Sequence, residues 1–260
     1  MTKDQPRTAL ITGGASGIGE ACATALAQKG WRVVISDLRA EAAQETAHRL
    51  GGEALPLDVA DAAAIEAAAD EAERRFGPLS GLVTSAGVLQ PPTPPERFAA
   101  ADFDRVMDVN LRGTYLTAVA FGTRMARRGH GAIVTIGSVT SLRAVPLHAY
   151  GPSKAAVAAL TQCLAAEWGR SGVRINCISP GYVATPPLQK AIDAGQRDPR
   201  ALEEAAAMGR LVRAEEVGRA AAFLLSDEAS AITGVNLPVD CGWLVAAHMG
   251  TYGGVPSART

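Results

Sequence analysis

Short apolar segments rich in β-branched residues alternate with helical patterns along the chain, and this alternation constrains the fold most strongly. The apolar segments cover residues 7–12, 32–36, 54–57, 81–84, 132–136, 173–178 and 235–239. Helical spacing of apolar residues covers 17–29, 39–50, 61–75, 103–128, 148–170 and 213–225. Nearly continuous apolar strands separated by helices are typical of a parallel sheet covered on both faces. We therefore predict an α/β fold with a doubly wound parallel sheet.

No linker divides the chain. Its 260 residues are 48% hydrophobic, which is enough for one large core, and no Gly/Ser-rich stretch separates two parts. We expect a single domain. Prolines and glycines interrupt the alternation in segment 186–210, which predicts a long irregular lid. The tail, residues 246–260, is rich in glycine and small residues, so it is either disordered or packed on a neighbouring subunit.

The charge balance argues against two classes of partner. Lys and Arg number 25 against 26 Asp and Glu, which leaves no basic excess for a nucleic acid or an anionic membrane. No apolar run approaches the roughly 20 residues of a spanning helix. Residues 1–6 lack the apolar region of a signal peptide, so a cytoplasmic location is expected. Four scattered cysteines predict buried reduced thiols and no metal site.

A glycine-rich segment, Thr-Gly-Gly-Ala-Ser-Gly-Ile-Gly at 12–19, lies where the first strand meets the first helix. Glycines let the backbone turn tightly there and approach a pyrophosphate, and the helix N-terminus offers free N–H groups and a positive dipole end. The spacing differs from the common G-x-G-x-x-G fingerprint, and a turn that binds nothing is the alternative. The candidate dinucleotide contacts here are Gly13, Ser16, Gly17, Ile18 and Gly19.

Asp37 ends the second strand about 20 residues further on, where an acidic side chain can bind a ribose 2′-hydroxyl. A carboxylate at that place would repel the 2′-phosphate of NADP. Arg39 is a contrary signal, because a guanidinium can pair with that phosphate. We give Asp37 more weight, since it stands at the strand end itself, and expect Arg39 to open the next helix on its solvent side. The sequence therefore favours NAD over NADP.

Tyr150 and Lys154 stand four residues apart, so they share one face of a helix. A nearby ammonium lowers the pKa of a phenol, and such a pair can exchange a proton with an alcohol or carbonyl oxygen. This spacing is common by chance, but it has companions. Ser138 and the segment 180–185 follow strands at the carboxyl ends, where ligands bind in open α/β sheets. Asn110 is a polar residue inside a helical pattern, where it is unfavourable unless it serves a purpose.

Together these motifs resemble those of the short-chain dehydrogenase/reductase family over nearly the whole chain. The motifs are TGGASGIG at 12–19, Asp37, Asp58-Val59, SAG at 85–87, Asn110, Ser138, YGPSK at 150–154 and PGYVAT at 180–185. The resemblance implies a Rossmann-type fold and hydride transfer between a nicotinamide cofactor and an alcohol or ketone. It divides the chain into a cofactor half, about 1–130, and a catalytic and substrate half, about 131–245.

The resemblance also implies roles for single residues. Tyr150 would be the general acid/base, Lys154 would lower its pKa and hold the nicotinamide ribose, and Ser138 would bind the substrate oxygen. Asn110 would anchor a water that links Lys154 to solvent. The remaining cofactor contacts would be Asp58 and Val59 at the adenine, Ser85 and Gly87 beneath the cofactor, and Pro180, Val183 and Thr185 at the carboxamide. Ser85 replaces the family's usual Asn, which puts a hydrogen bond that braces the sheet in doubt.

The substrate is predicted only by class. Residues expected to line its pocket are Thr140, His148 and Tyr182, with Gln90, Leu142, Leu188 and Met208. This partly polar set and the NAD preference favour a polyol, a sugar or another hydroxylated secondary alcohol. Two alternatives stay open: an NADPH-dependent reductase of 3-oxoacyl thioesters or other ketones, and a non-catalytic dinucleotide sensor. The resemblance further implies a homotetramer built on the long helices, the last strand and the tail.

Overall fold

The structure is a computed structural model that describes residues 7–255, in which nine strands alternate with helices. The strands are Thr8–Thr12 (β1), Arg32–Ser36 (β2), Glu53–Ala54 (β3), Gly81–Thr84 (β4), Gly131–Ile136 (β5), Val173–Pro180 (β6), Val183–Ala184 (β7), Val212–Arg213 (β8) and Asn236–Val239 (β9). The helices are Gly17–Gln28 (α1), Ala40–Leu50 (α2), Ala62–Phe76 (α3), Ala100–Met107 (α4), Thr114–Arg128 (α5), Tyr150–Trp168 (α6), Pro186–Asp193 (α7), Pro199–Glu204 (α8), Ala214–Leu225 (α9) and Trp243–Ala246 (α10).

Seven strands form one parallel sheet in the order β3-β2-β1-β4-β5-β6-β9, which confirms the predicted doubly wound α/β domain. The chain moves outward from β1 to β3 and then returns to pair β4 with β1 on the other side. In open sheets of this kind, ligands bind outside the carboxyl ends of the strands where the order reverses. The crevice beyond Thr12 and Thr84 is therefore the place where a binding site is expected.

The sheet separates two apolar cores. Side chains at successive positions of a strand point to opposite faces, so Ile11 belongs to one core and Leu10 to the other. On the first face α1, α2 and α9 pack against the sheet, and on the second face α3, α5 and α6 do so. Both faces are covered, which explains why the central strands are apolar at nearly every position.

Two predicted elements differ in the structure. The third strand is shorter than predicted, Glu53–Ala54, although the chain continues beside β2. Pro56 is tolerated there because β3 is the edge strand and the missing N–H would face away from β2. Leu55 and Leu57 still donate to the carbonyls of Ile35 and Asp37. The helix predicted over 103–128 begins earlier, at Ala100, and a π-helical segment, Asp108–Gly113, divides it into α4 and α5.

The irregular lid predicted for 186–210 is wrong in its local structure, since this segment contains α7 and α8. Both helices begin with proline at the first turn, where the missing N–H costs nothing. The short pair β7-β8 closes the base of the segment. The tail begins at the last residue of α10, Ala246, and its described part contains the 3₁₀ turn Met249–Tyr252, while residues 256–260 lie outside the described part of the chain.

Two further expectations concern cysteines and membranes. Cys22 and Cys177 are buried, but Cys163 is exposed and Cys241 is partly exposed, so the prediction of buried thiols holds for only half of them. Within residues 7–255, no group of three or more His, Cys, Asp or Glu side chains is placed so that it could bind a metal ion. None of the helices in that range is both long and apolar enough to span a bilayer.

Candidate active site

The glycine-rich turn brings β1 and α1 against the loop that follows β4. Gly13 has a positive φ of 63°, and a Cβ at this position would lie 2.8 Å from Ala86 Cα. At Gly19 a Cβ would lie 2.1 Å from the carbonyl oxygen of Gly13. Side chains are therefore excluded, and the backbone itself forms the surface of the turn.

The N-terminus of α1 faces the crevice with free donors. Ser16 is the N-cap of α1. Glu20 is the first residue of the helix whose N–H donates an intrahelical hydrogen bond, to Ser16 O at 3.2 Å. The N–H groups of Gly17, Ile18 and Gly19 precede it and have no intrahelical acceptor. A helix start with free N–H groups and a positive dipole end suits a pyrophosphate.

Asp37 stands at the end of β2 with its side chain only 9% exposed. Its Oδ1 accepts from the N–H and Nε of Arg39, at 3.1 and 3.3 Å, and its Oδ2 accepts from Ala15 N–H at 3.2 Å. A carboxylate has about four acceptor positions. One position on Oδ2 thus stays available for a hydroxyl group.

Arg39 opens α2 and is 60% exposed, as expected, but its guanidinium turns back toward the glycine-rich turn. Its Nη2 donates to Ser16 Oγ at 3.1 Å, in addition to the contact with Asp37. Arg39 therefore contributes to the same corner as Asp37, which the sequence reasoning did not anticipate.

The loop after β4 is fixed by backbone contacts. Ser85 N–H donates to Thr12 O at 3.2 Å, and Ala86 N–H donates to Thr12 Oγ1 at 3.3 Å. These two contacts brace the end of β4 to β1 through the N–H groups of residues 85 and 86, and the Ser85 side chain takes no part in them. Elsewhere along the crevice, Asp58 is exposed and accepts from Ala60 N–H, while Val59 is buried.

Asn110 is completely buried in the π-helical segment. Its Oδ1 accepts from Val88 N–H at 2.8 Å, and its Nδ2 donates to Val88 O at 3.0 Å and to Ser153 Oγ at 3.4 Å. The side chain thus holds the loop after β4, whereas the relay water implied by the resemblance stays a prediction. The sequence did not indicate Val88 and Ser153 as partners of Asn110, because neither a backbone contact nor a buried serine has a recognisable sequence pattern.

Ser138, Tyr150 and Lys154 lie together at the carboxyl end of β5. Burial raises the pKa of the Tyr150 phenol above its ordinary value, and a hydrogen bond with Ser138 acts in the opposite direction. Ser138 Oγ also accepts from Thr140 N–H at 3.2 Å, which orients the hydroxyl. A Cβ added at Gly87 would lie 3.6 Å from Lys154 Nζ, so this glycine leaves room beside the amine.

Lys154 is 5% exposed, and its Nζ donates to Ile136 O at 2.9 Å. Burial lowers the pKa of this amine to about 8, and the neighbouring Cys177 opposes the change. The amine lies 5.7 Å from the centre of the Tyr150 ring. The lowering of the Tyr150 pKa by Lys154 therefore stays a prediction in this structure, where the amine binds a backbone carbonyl instead.

The segment after β6 reaches back to the glycine-rich turn. A Cβ at Gly17 would lie 3.7 Å from Thr185 Cγ2, which places Thr185 over the N-terminus of α1. Pro180 ends β6, and Val183 lies in β7 with Val212 as its partner. The first motif, at 12–19, and the last motif, at 180–185, thus lie next to each other at the crevice.

The residues predicted to line the substrate pocket have different surroundings. Thr140 Oγ1 and Gln90 Nε2 are buried and lack hydrogen-bond partners among the described residues. Tyr182 packs edge-on against Trp243, with 5.7 Å between ring centroids. His148, Leu142 and Met208 are exposed, so a wall of the pocket formed by these three is absent in this structure.

These residues fit a nicotinamide dinucleotide. The glycine cradle admits backbone contact only, the free N–H groups of α1 suit a pyrophosphate, and Asp37 retains one acceptor for a ribose hydroxyl. Beside them stand a phenol, a hydroxyl and an amine that can hold or move a proton. The arrangement suits redox chemistry between an alcohol and a ketone.

Comparisons with known proteins agree with this geometry. Residues 13–244 match the family described as Enoyl-(Acyl carrier protein) reductase. The chain is 43% identical over 245 residues to D-threitol dehydrogenase of Mycolicibacterium smegmatis, covering 92% of this chain and 93% of the relative. It is 40% identical over 244 residues to galactitol 2-dehydrogenase of Rhizobium johnstonii, covering 90% and 94%.

A solved structure from Brucella melitensis 16M, titled ribose-5-phosphate isomerase, superposes with a TM-score of 0.95 at 48% identity and covers 97% of this chain and 98% of its own. The fold, the motif-bearing residues and the matches over most of the chain agree with one another. The protein belongs to the short-chain dehydrogenase/reductase family and is an oxidoreductase that acts on alcohols.

Proposed function

We propose that the protein is an NAD-dependent dehydrogenase of polyols or similar hydroxylated secondary alcohols. The observation that carries the proposal is the convergence of Ser138, Tyr150 and Lys154 beside Gly87, next to a crevice that suits a dinucleotide. A sensor without activity would not need these three side chains together.

The protein's own residues would manage the proton. Ser138 Oγ would bind the substrate oxygen, and Tyr150 would take the hydroxyl proton as the alcohol becomes a ketone. Lys154 would favour the phenolate and hold the nicotinamide ribose once its amine turns from Ile136 O. A bound nicotinamide supplies the hydride acceptor. Asn110 would place the relay water beside Lys154, and Asp58, Val59, Ser85 and Gly87 would contact the cofactor.

A hydroxylated substrate is supported by the polar groups near Tyr150. Thr140 Oγ1 is buried and has no hydrogen-bond partner among residues 7–255, and leaving such a group unpaired costs about 1–3 kcal/mol. A substrate hydroxyl would satisfy it. The relatives named D-threitol dehydrogenase and galactitol 2-dehydrogenase are consistent with this class. Tyr182 and His148 are proposed as further contacts, His148 only after movement of its exposed side chain.

NAD is the proposed cofactor because Asp37 retains one acceptor position and carries a negative charge where NADP has its phosphate. Arg39 already binds Asp37 and Ser16, so its guanidinium is not free to receive that phosphate without leaving them. An NADPH-dependent thioester reductase would instead have to bind the 2′-phosphate and prefer NADPH over NADH.

A substrate panel tests the activity. We expect threitol, galactitol and related polyols to reduce NAD, read at the nicotinamide absorbance, and NADP to serve at least tenfold less well. Tyr150→Phe is the control, since it should abolish turnover while NAD still binds. Apolar ketones reduced well by NADPH, with no turnover of any polyol, would reject the proposal.

Asp37→Ala tests the cofactor preference. Removal of the carboxylate should lower kcat/KM with NAD and raise kcat/KM with NADP. The ratio of kcat/KM with NAD to kcat/KM with NADP should therefore fall at least tenfold. Arg39→Ala is the comparison at the same corner. It removes the side-chain hydrogen bonds to Asp37 and Ser16 but leaves the carboxylate in place, so NAD should still be preferred over NADP. An unchanged ratio in Asp37→Ala would contradict the assigned role.

We also propose that the protein is a homotetramer. The described surface offers exposed Phe103 and Tyr115 on α4 and α5, and exposed Ala155 and Ala159 on α6, where small side chains permit close helix packing. Light scattering should give the mass of four chains. A monomer would contradict this expectation.

A further inference from the structure

The helix that carries Tyr150 begins without a cap of its own. Its N-cap residue is Ala149, which has no side chain that can accept a hydrogen bond. The acceptor comes from the loop after β4 instead. Gln90 Oε1 accepts from Ala149 N–H at 2.7 Å and from Tyr150 N–H at 3.1 Å. Gln90 thereby joins the loop that contains Gly87 to the backbone of Tyr150.

These two contacts determine which way the Gln90 amide faces. Both partners are N–H donors, so the atom between them must be the oxygen, and the –NH₂ group must point away from the helix end. That group, Nε2, is buried and has no hydrogen-bond partner among residues 7–255, and the residue as a whole is only 4% exposed. Two N–H bonds of Gln90 are thus prepared for an acceptor that the described chain does not supply.

A second unpaired group lies near the same helix end. Thr140 follows Ser138, and a Cβ added at Gly151 would lie 4.0 Å from Thr140 O. The Oγ1 of Thr140 is also buried and has no hydrogen-bond partner within the described part of the chain. Gln90 and Thr140 thus both lie next to the first turn of α6, which carries Tyr150. Buried hydroxyls of Ser36, Thr84 and Thr117 are also unpaired in that part of the chain, so the position of Gln90 beside Tyr150, and not the number of unpaired groups, points to a polar ligand.

We propose that Gln90 determines substrate specificity: its Nε2 donates to an oxygen on the carbon next to the reacting carbinol, while its Oε1 fixes the backbone of Tyr150. The inference rests on the proposed function and makes it more specific. The favoured substrates are vicinal diols and their α-hydroxyketone products. A lone secondary alcohol would leave Nε2 unpaired and react less well.

Two substitutions separate the two ends of the amide. Gln90→Glu keeps two acceptor oxygens for the helix end but has no donor at alkaline pH, where the carboxyl is ionised. Gln90→Met has similar length and loses both functions. Gln162→Glu is the matched control. Gln162 is exposed on α6, and its substitution adds the same charge as Gln90→Glu without touching the helix end.

Three substrates with one carbon skeleton report the contact: 2-butanol, 2,3-butanediol and 3-methoxy-2-butanol. The ether oxygen of the third compound can only accept, so it cannot donate to the new carboxylate. We expect Gln90→Glu to lower kcat/KM for the ether, relative to 2-butanol, about five- to tenfold. Any effect of the new charge on Tyr150 acts on all three substrates and cancels in this ratio. Gln90→Met should also lower kcat with 2-butanol. Gln162→Glu should change neither the ratio of kcat/KM for the ether to that for 2-butanol nor kcat with 2-butanol.

The outcomes distinguish the inference from the proposed function. If the wild-type enzyme favours the diol and the ether over 2-butanol but Gln90→Glu leaves that ratio unchanged, the role of Gln90 is rejected and the proposed function stands. If the wild-type enzyme oxidises 2-butanol as well as the diol, the role of Gln90 is also rejected and the proposed function stands. If it oxidises none of the three compounds and no polyol of the substrate panel, the proposed function fails and the inference with it.

Discussion

Asn110 joins the loop after β4 to α6, which carries the proposed catalytic Tyr150 and Lys154. Asn110→Leu would cut that connection while keeping the branching and the number of side-chain heavy atoms. The substitution removes the acceptor for Val88 N–H and the donor to Val88 O, which lie 2.8 and 3.0 Å from the amide. It also removes the longer contact to Ser153 Oγ, at 3.4 Å.

The cost follows from what is left behind. Two backbone groups of Val88 lose their partners, and each buried group without a partner costs about 1–3 kcal/mol. Val88 is only partly buried, so water can compensate in part and the lower end of that range applies. We expect Asn110→Leu to lower the free energy of unfolding by about 2–3 kcal/mol. The loop with Gly87 and Gln90 should also loosen, so KM for NAD should rise and kcat should fall.

Asn176→Leu is the matched control. Asn176 is also buried, its Nδ2 donates to Ile232 O at 2.9 Å, and its Oδ1 accepts from Val235 N–H at 3.2 Å. It makes the same pair of backbone contacts away from the site. Urea unfolding should show a similar loss for both variants, whereas steady-state kinetics should change only for Asn110→Leu.

Two results would refute this reasoning. A loss below about 0.5 kcal/mol for Asn110→Leu would mean that the Val88 contacts do not carry the loop. Equal kinetic effects in both variants would mean that lower stability, and not the position of the loop, changes turnover.

Three further predictions concern single side chains. Lys154→Met should raise stability by about 2 kcal/mol near neutral pH, because the native pKa of about 8 lies below the usual 10.5 and the amine disfavours folding while protonated; the gain should shrink as pH rises from 8 to 10.5, and a gain that is constant with pH in urea unfolding would contradict it. Cys241 has a φ of 52°, so Cys241→Gly should be up to about 1 kcal/mol more stable than Cys241→Ala in urea unfolding, and equal stabilities would exclude backbone strain. Hydrogen bonds from Arg210 and Arg213 lower the pKa of Glu216 from 4.5 to about 2, so the stabilising effect of the carboxylate is complete above 4.5 and lost as pH falls toward 2; the difference from Glu216→Gln in unfolding midpoint should vanish over that interval, and a difference that persists would contradict the ion-pair explanation.

Sequence patterns predicted the sheet and its two covered faces because burial on both sides forces apolar residues at nearly every strand position. Leu10 and Ile11 enter different cores, which alternation along a strand requires. The lid was less well predicted, although the signals were present. Asp198 caps α8 by accepting from Arg200 N–H, and proline follows at the first helical position. Short helices between glycines were mistaken for irregular chain.

The π-helical segment around Asn110 has no comparable signal. An i→i+5 hydrogen-bond pattern needs no special residue, and its composition matches that of an α-helix. The same limit applies to Lys154. A four-residue spacing brings its side chain to the face of Tyr150, but the buried amine binds the nearest free acceptor, Ile136 O, at 2.9 Å. Side-chain termini follow local acceptors that the spacing does not reveal.

The two kinds of residue in the site differ in how they are positioned. Asp37 and Ser138 follow β2 and β5, and the carboxyl ends of the parallel strands lie at one edge of the seven-stranded sheet, so chain order alone brings them to the same edge. Gln90 and Thr140 belong to loops whose path depends on contacts such as those with Ala149 and Tyr150. The proposed proton-transfer groups therefore stand on the sheet edge and on α6, while the groups available to discriminate substrates stand on the connections that follow β4 and β5. A change in those loops can alter the substrate and leave proton transfer intact only if it keeps the acceptor that Gln90 offers to the N–H groups of Ala149 and Tyr150.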